Sequence, residues 1–171
     1  DDNELIRTKI KEIIGELEDS KKNLYTDNCI LNSVLNIKYS AAQVADIKIE
    51  SNIFVPKYMN IDYGDMGVLF GNLLDNAIEA NQGVDRKKRW INVSVKYEEH
   101  ILIINIKNSK IRGSRRKKKG YLNHGIGLNS VKQIVEKFNG IVEVQDFGEM
   151  YEVSAILYGI CDDKDLGKSV L

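Results

Sequence analysis

The spacing of apolar residues divides the chain into a short series of elements. Ile6, Ile10, Ile13, Leu17, Ser20 and Leu24 step by fours and threes, and the positions between them are mostly Lys, Glu and Asp. This is a heptad seam, and a helix with so narrow a stripe needs a partner to pack against. A seam of about three heptads is marginal alone. It is expected to self-associate into a helical bundle, the alternative being that it packs on its own globular domain. TDNCILNSVLNIKYSAAQVADI (26–47) predicts a second helix, with Ile30, Leu31, Val34, Leu35 and Ala42 as a broad apolar face and Thr26 or Asp27 as its cap. IKIESNIF (47–54) alternates apolar and polar as a half-buried strand does, and Pro56 punctuates the connection to the next element. In 62–82, Met66, Leu69, Phe70, Leu73, Leu74, Ala77 and Ile78 recur at helical spacing. WINVSVKY and ILIINIKN, joined by the polar turn Glu98-Glu99-His100, predict a hairpin. SKIRGSRRKKKGYLNHG is basic, glycine-punctuated and long for a loop in a compact domain. A helix at 126–138, a strand at 141–146, a turn at Gly148 and a strand at 150–158 complete the pattern, and the tail CDDKDLGKSVL is polar.

After the two leading helices the order is strand, helix, two strands, loop, helix, two strands. That order reads as an α+β domain, a two-layer sandwich of a mixed sheet with helices on one face. With 171 residues, 43% of them hydrophobic, the chain can build one packed domain plus an appendage. Lys+Arg and Asp+Glu are both 25, and the lack of a basic surplus argues against a nucleic-acid partner. No apolar run approaches the ~20 residues of a membrane span, and no signal-peptide pattern is present. The chain opens at Asp1 rather than Met, as a piece of a longer protein would, and any membrane anchor would then lie outside it. Cys29 and Cys161 form neither a metal motif nor a disulfide framework, and read as free thiols in a reducing compartment.

Three features carry chemistry. In NLLDNAIEA, Asn72 and Asn76 are four apart and share one helix face among apolar neighbours. Two amides on the buried-facing side of a helix need partners, and amide carbonyls suit Mg²⁺ that also carries phosphate oxygens and waters. Asn108 ends the strand ILIINIKN, where an Asn by itself more often starts a turn than reads a ligand. Gly125 and Gly127 stand where a helix begins, removing side chains where backbone would approach an anion. Ahead of them lie Arg112, Arg115, Arg116, Lys117, Lys118 and Lys119. Such a run is commonly a solvated loop, and beside an anion-friendly helix start it can also neutralise phosphate.

Taken together, these features resemble the ATP-binding catalytic domain of sensor histidine kinases, within the GHKL group that includes gyrase, the heat-shock 90 chaperones and mismatch-repair ATPases. GNLLDNAIEA resembles the N-box, and NHGIGLNSVKQIVEKFNG resembles the second glycine box and its helix. The similarity runs from about residue 28 to 158 and is closest to the peptide-quorum-sensing receptor kinases, in which an Asn ends the strand where other kinases carry an Asp-x-Gly-x-Gly box. The resemblance implies a Bergerat fold and a division into residues 1–25, part of a dimerisation helix, 26–158, the ATP-binding catalytic domain, and 159–171, a tail. It implies ATP and Mg²⁺ as cofactors. Asn72 and Asn76 would be the catalytic pair, Asn76 binding the metal and Asn72 supporting the metal and phosphates. Asn108, Lys119, His124, Gly125, Gly127 and Leu128 would hold the nucleotide, with the two glycines letting the 109–124 loop close over the triphosphate.

The sequence departs from the family pattern at three places. Asn108 replaces the adenine-reading carboxylate, though its amide oxygen still accepts a hydrogen bond from an adenine amino group. KNSKI has no glycine after Asn108, and Glu79 stands where many of these kinases have Lys. Hydrolysing relatives place Glu at position 72; Asn cannot act as that base, which favours phosphotransfer. The chain has two histidines, His100 at the hairpin turn and His124 in the glycine box, and neither lies on a dimerisation-type helix. The phosphoacceptor is therefore expected upstream of this chain. The implied partners are a second copy through the N-terminal helix and a response regulator. The implied setting is the cytoplasmic side of a bacterial inner-membrane receptor. The other readings are a degenerate Bergerat-fold interaction module with weak nucleotide binding, or an anti-sigma-type serine kinase.

Overall fold

A computed structural model describes residues 24–113 and 126–160. The heptad seam apart from Leu24, the polar tail 161–171, and Lys119, His124 and Gly125 lie outside the described residues. The first described helix, α1, is Cys29–Val44 and buries Leu31, Leu35, Tyr39 and Ala42. Its cap is Asn28, not Thr26 or Asp27 as expected. Asn28 is extended, its Oδ1 accepts from the Leu31 N–H at 2.9 Å, and its Nδ2 donates to the Lys57 carbonyl at 3.0 Å. Thr26 instead braces the cap, its Oγ1 accepting from the Asn28 N–H. The helix also stops three residues short of the expected Ile47. Asp46 adopts φ 55°, and the N–H groups of Asp46 and Ile47 bond back to the carbonyls of Gln43 and Ala42. That pair of bonds is a Schellman stop built without glycine.

Strand β1 is Lys48–Phe54 and helix α2 is Tyr63–Asn81, capped by Asp62, whose Oδ1 accepts from Gly64 and Asp65. A short 3-10 turn, Arg86–Lys88, leads into β2, Trp90–Glu98, and β3, Ile101–Ser109. The hairpin between them turns on Glu99 and His100, both at positive φ (47° and 67°). Helix α3 is Ile126–Lys137, β4 is Ile141–Asp146 and β5 is Met150–Tyr158. The five strands order as β1-β2-β3-β5-β4, with β1 parallel to β2 and every other pair antiparallel. This is the mixed sheet and α+β class that the element order predicts.

Register explains the two layers. Val93 pairs with Ile106, Val95 with Ile104, Leu102 with Leu157, Ile104 with Ala155 and Ile106 with Val153. All are buried and, at a period of two, share one face. The helices cover that face, joining Phe70, Leu73, Leu74, Val131 and Val135 to the same core. After β5, Gly159 turns at φ 68° and Ile160 returns to full burial, its carbonyl accepting from the Asn60 N–H. Helix α3 ends in a second Schellman stop: Asn139 at φ 50°, with Asn139 and Gly140 N–H bonding to Glu136 and Val135 carbonyls. Gly140 has no room for a side chain. A Cβ there would run into the Ile156 carbonyl oxygen and stand 2.7 Å from Val135 Cγ1.

Tyr39 is the buried oddity of the core. Its ring meets Tyr25 edge-on at 4.7 Å, and its hydroxyl makes no well-formed hydrogen bond. Burial pushes the phenol up to about 12, with the Ser51 hydroxyl offsetting part of the rise. An unfolded chain would ionise Tyr39 near 10.0, its ordinary value. Its contribution is therefore fully present below pH ~10 and is lost as pH rises through ~12. Tyr39→Phe is expected to remove that share of the alkaline loss. At pH 7 it should leave stability unchanged or raise it by up to ~1 kcal/mol, because the hydroxyl has no well-formed hydrogen bond to lose. Urea titrations at pH 7 and pH 11 check both parts.

Candidate nucleotide site

Helix α2 sets the site. Its buried stripe is Met66, Leu69, Phe70, Leu73, Leu74, Ala77 and Asn81, with Gly71 also buried. Asn72 and Asn76 do not lie in that stripe, contrary to expectation; both are half-buried. At about 100° per residue they fall on the flank of the stripe, on the same side as Asp65. That side faces α3: Lys137 bonds both oxygens of Asp65 at 2.8 and 2.9 Å, and Gly127 packs on Asn72. The two helices therefore run antiparallel.

The contact at Gly127 is tight. A Cβ added there would stand 2.8 Å from Asn72 Oδ1 and 3.4 Å from Asn72 Cγ. Glycine is what lets the first turn of α3 come against this amide. The amide is itself oriented, because Asn72 Nδ2 donates to the Val68 carbonyl at 2.7 Å and turns Oδ1 toward Gly127. Asn76, one turn further along, makes no side-chain hydrogen bond among the described residues, so its carbonyl oxygen is available to a ligand. Leu128 is partly buried against the core.

Asn108 continues the row Leu102, Ile104, Ile106 on the helix-covered face of β3 and is 2% exposed. It does not start a turn: the strand runs one residue further, and Asn108 pairs with Ile91 on one side and Tyr151 on the other. Its Nδ2 donates to the Ser109 carbonyl at 2.9 Å, which orients the amide and leaves Oδ1 as its acceptor.

A buried clamp that the sequence pattern does not reveal fixes β3 to α2. Asn81 is fully buried. Its Oδ1 accepts from Ser109 Oγ at 2.5 Å and from the Trp90 N–H at 3.2 Å. Its Nδ2 donates to the Ala77 carbonyl at 2.9 Å and the Trp90 carbonyl at 3.3 Å. Asn108, next to Ser109, is thus held near the C-terminal turn of α2, while the Asn72–Gly127 contact lies near the middle of that helix. The two levels are about 13 Å apart along the helix axis, and Asn76 lies between them. Asn81→Ala is expected to destabilise the fold by ~2 kcal/mol, since it strands a buried N–H and hydroxyl. Urea unfolding measures this directly.

Two ion pairs frame the region. Lys38 of α1 bonds both oxygens of Asp75 at 2.7 Å. Lys110, at the start of the long basic loop, pairs with Asp146 at 2.5 Å, and its backbone N–H bonds to the Glu149 carbonyl. The Lys110 ammonium, with the Gly148 N–H, holds the Asp146 carboxyl below the usual carboxylate range. The loop therefore leaves the sheet from an anchored root.

The chain belongs to the GHKL family, since the family model described as the GHKL domain matches residues 61–157. Its fold is that of histidine kinase catalytic domains. The catalytic domain of histidine kinase ThkA superposes with a TM-score of 0.62 at 15% identity, covering 80% of this chain and 95% of that one. The histidine kinase AdeS of Acinetobacter baumannii gives 0.58 at 15% identity, covering 86% and 79%. Full-length ShkA, solved in complex with AMPPNP, gives 0.59 at 15% identity, covering 80% and 31%. Among curated proteins, a probable C4-dicarboxylate sensor kinase of Bacillus subtilis (strain 168) is 32% identical over 95 residues, 50% of this chain. The chain spans 18% of that relative's length. The domain thus has the fold of histidine-kinase catalytic domains, and its GHKL membership implies that it binds nucleotide.

Proposed function

We propose that this chain is the phosphate-donating part of a sensor histidine kinase, delivering the terminal phosphate of Mg-ATP to a histidine on a helix outside residues 1–171. The observation that carries the reading is the packing of Gly127 on Asn72, which joins the start of a helix to an oriented amide. The adenine end is assigned to Asn108, whose oxygen accepts from the exocyclic amino group while Ser109 engages its NH₂. The phosphate end is assigned to Asn72, Gly127 and Leu128, with Gly125, His124 and Lys119 of the preceding loop.

The described residues fit Mg²⁺ as a nucleotide-borne ion. The half-buried Asn76 offers one neutral oxygen, and no group of three acidic or His/Cys ligands stands among the described residues. Asn76 would supply one ligand, with phosphate oxygens and water completing the shell. When bound there, the ion would offset the charge of the phosphates. Asn72 supports that arrangement and cannot deprotonate water, so transfer to an acceptor is favoured over hydrolysis.

A second copy is assigned to pair with this one through the N-terminal heptad seam, and a response regulator to take the phosphate from the histidine. Residues 26–158 are assigned as the catalytic domain, with a tail after them. No helix among the described residues is long and apolar enough to cross a membrane. We place the membrane anchor in another part of the parent protein and this domain on its cytoplasmic side. ATP titrations with and without Mg²⁺ test the reading. Mg²⁺-dependent binding with ADP competition is expected, together with no acid-labile phosphohistidine on the isolated chain. Phosphohistidine on this chain would overturn the external acceptor, and absent nucleotide binding would favour an interaction module.

A further inference from the structure

The geometry points to Lys38 as a cationic contact for the terminal phosphate of the bound nucleotide, held in place by Asp75 when that phosphate is absent. This rests on the nucleotide reading above. A concavity of about 360 Å³ opens between α1 and α2, lined by Lys38, Gly67, Val68, Gly71, Asn72 and Asp75 with two apolar residues of α1. Asn72 stands on its edge and meets Gly127 of α3, so the end of the site assigned to phosphate opens into this space. Among the described residues lining it, Lys38 is the one cation.

The surroundings leave that cation room to move. A Cβ on Gly67 would meet nothing within 4 Å, and one on Gly71 would meet Lys38 Cε at 3.9 Å. The glycines therefore keep the path of the lysine side chain open. Lys38 is 23% exposed and its carboxylate partner 48% exposed, so the pair is not sealed in the core. An ammonium is a compact point charge on a flexible stem, and charge-assisted bonds to phosphate are as favourable as those to carboxylate. Asp75 shares its turn with Asn72 and Asn76; its charge, left alone, would repel a triphosphate at that turn. Lys38 offsets it in the free chain and, when nucleotide binds, bridges the carboxylate and the terminal phosphate. Position 79, one turn beyond Asp75, carries Glu and cannot supply this charge.

Calorimetric titration of Mg-ATP and Mg-ADP into the chain and into Lys38→Met, Lys38→Arg and Asp75→Asn separates this role from simple packing. Lys38→Met is expected to weaken Mg-ATP about tenfold and to change Mg-ADP by less than about twofold. Lys38→Arg should restore most of the preference for ATP, and Asp75→Asn, which frees the ammonium, should increase it. Equal loss for both nucleotides, or an unchanged ratio in Lys38→Met, would overturn the inference. Should Lys38→Met fail to fold, Asp75→Asn decides, an unchanged ATP-to-ADP ratio sinking the proposal. A parent chain that binds neither nucleotide refutes the nucleotide reading and this inference together. A parent that binds both, beside a Lys38→Met variant with an unaltered ratio, refutes this inference alone.

Discussion

Gly140→Ala is expected to lower the free energy of unfolding by about 3 kcal/mol or more, a large share of the roughly 5–15 kcal/mol that holds a domain folded. The added methyl group would meet the carbonyl oxygens of Ile156 and Val135 as well as Val135 Cγ1. Two of these three obstacles are backbone, so no rotamer change relieves the clash. Gly140 also donates to Val135 in closing the stop of α3, and Asn139 depends on that geometry for its left-handed φ. Any relief must shift α3 away from β5, and with it Gly127 away from Asn72. Urea or thermal unfolding gives the loss; a change below ~1 kcal/mol would mean that the α3–β5 junction is far looser than the structure has it.

Asn76→Ala is expected to weaken ATP binding in the presence of Mg²⁺ on the order of a hundredfold, and to leave binding without Mg²⁺ nearly unchanged. The substitution removes one metal ligand and, because Asn76 is half-exposed on a helix, no core contact. Alanine is a better helix former than asparagine, so stability should hold or rise by a few tenths of a kcal/mol. The difference between titrations with Mg²⁺ and with EDTA isolates the metal term. An equal loss in both would place Asn76 on the nucleotide rather than the ion. No loss in either would move the metal elsewhere.

The elements were legible because their periodicities are strong. The alternation in WINVSVKY and ILIINIKN and the 3.6-residue rhythm of 62–82 each locate an element within about two residues of its observed bounds. Where sequence and structure differ, the deciding partner lies far along the chain. The choice of Asn28 over Thr26 or Asp27 as cap depends on the Lys57 carbonyl, twenty-nine residues away. Asn81 reads as one more amide at a helix end, because its partners Trp90 and Ser109 belong to strands whose register periodicity leaves open. Asn72 and Asn76 stand out as a pair in the sequence, but their spacing suggests a deeper position than they hold. Helical spacing shows that two residues share a face; which face is buried depends on where the neighbouring helices pack. Lys38 and Asp75 give no signal in sequence, since an ion pair between helices has no fixed spacing.

The order β1-β2-β3-β5-β4 has a consequence for the nascent chain. Of the five described strands, β5 is the last to emerge from the ribosome, yet its place is interior, between β3 and β4. Until residues as far as Tyr158 are available, β3 presents an unpaired edge beside Leu102, Ile104 and Ile106, and β4 has no neighbour to join. The hairpin closing on Glu99 and His100 can form early, whereas Lys48 must find Trp90 across the whole of α2, and Ile101 must find Tyr158 across α3 and β4. Such distant closures set folding on a scale of roughly milliseconds to seconds. A chain arrested before residue 150 carries Asn72, Asn76, Asn108 and Gly127 in full, but it lacks the strand that completes the sheet beneath them and exposes a sticky edge instead.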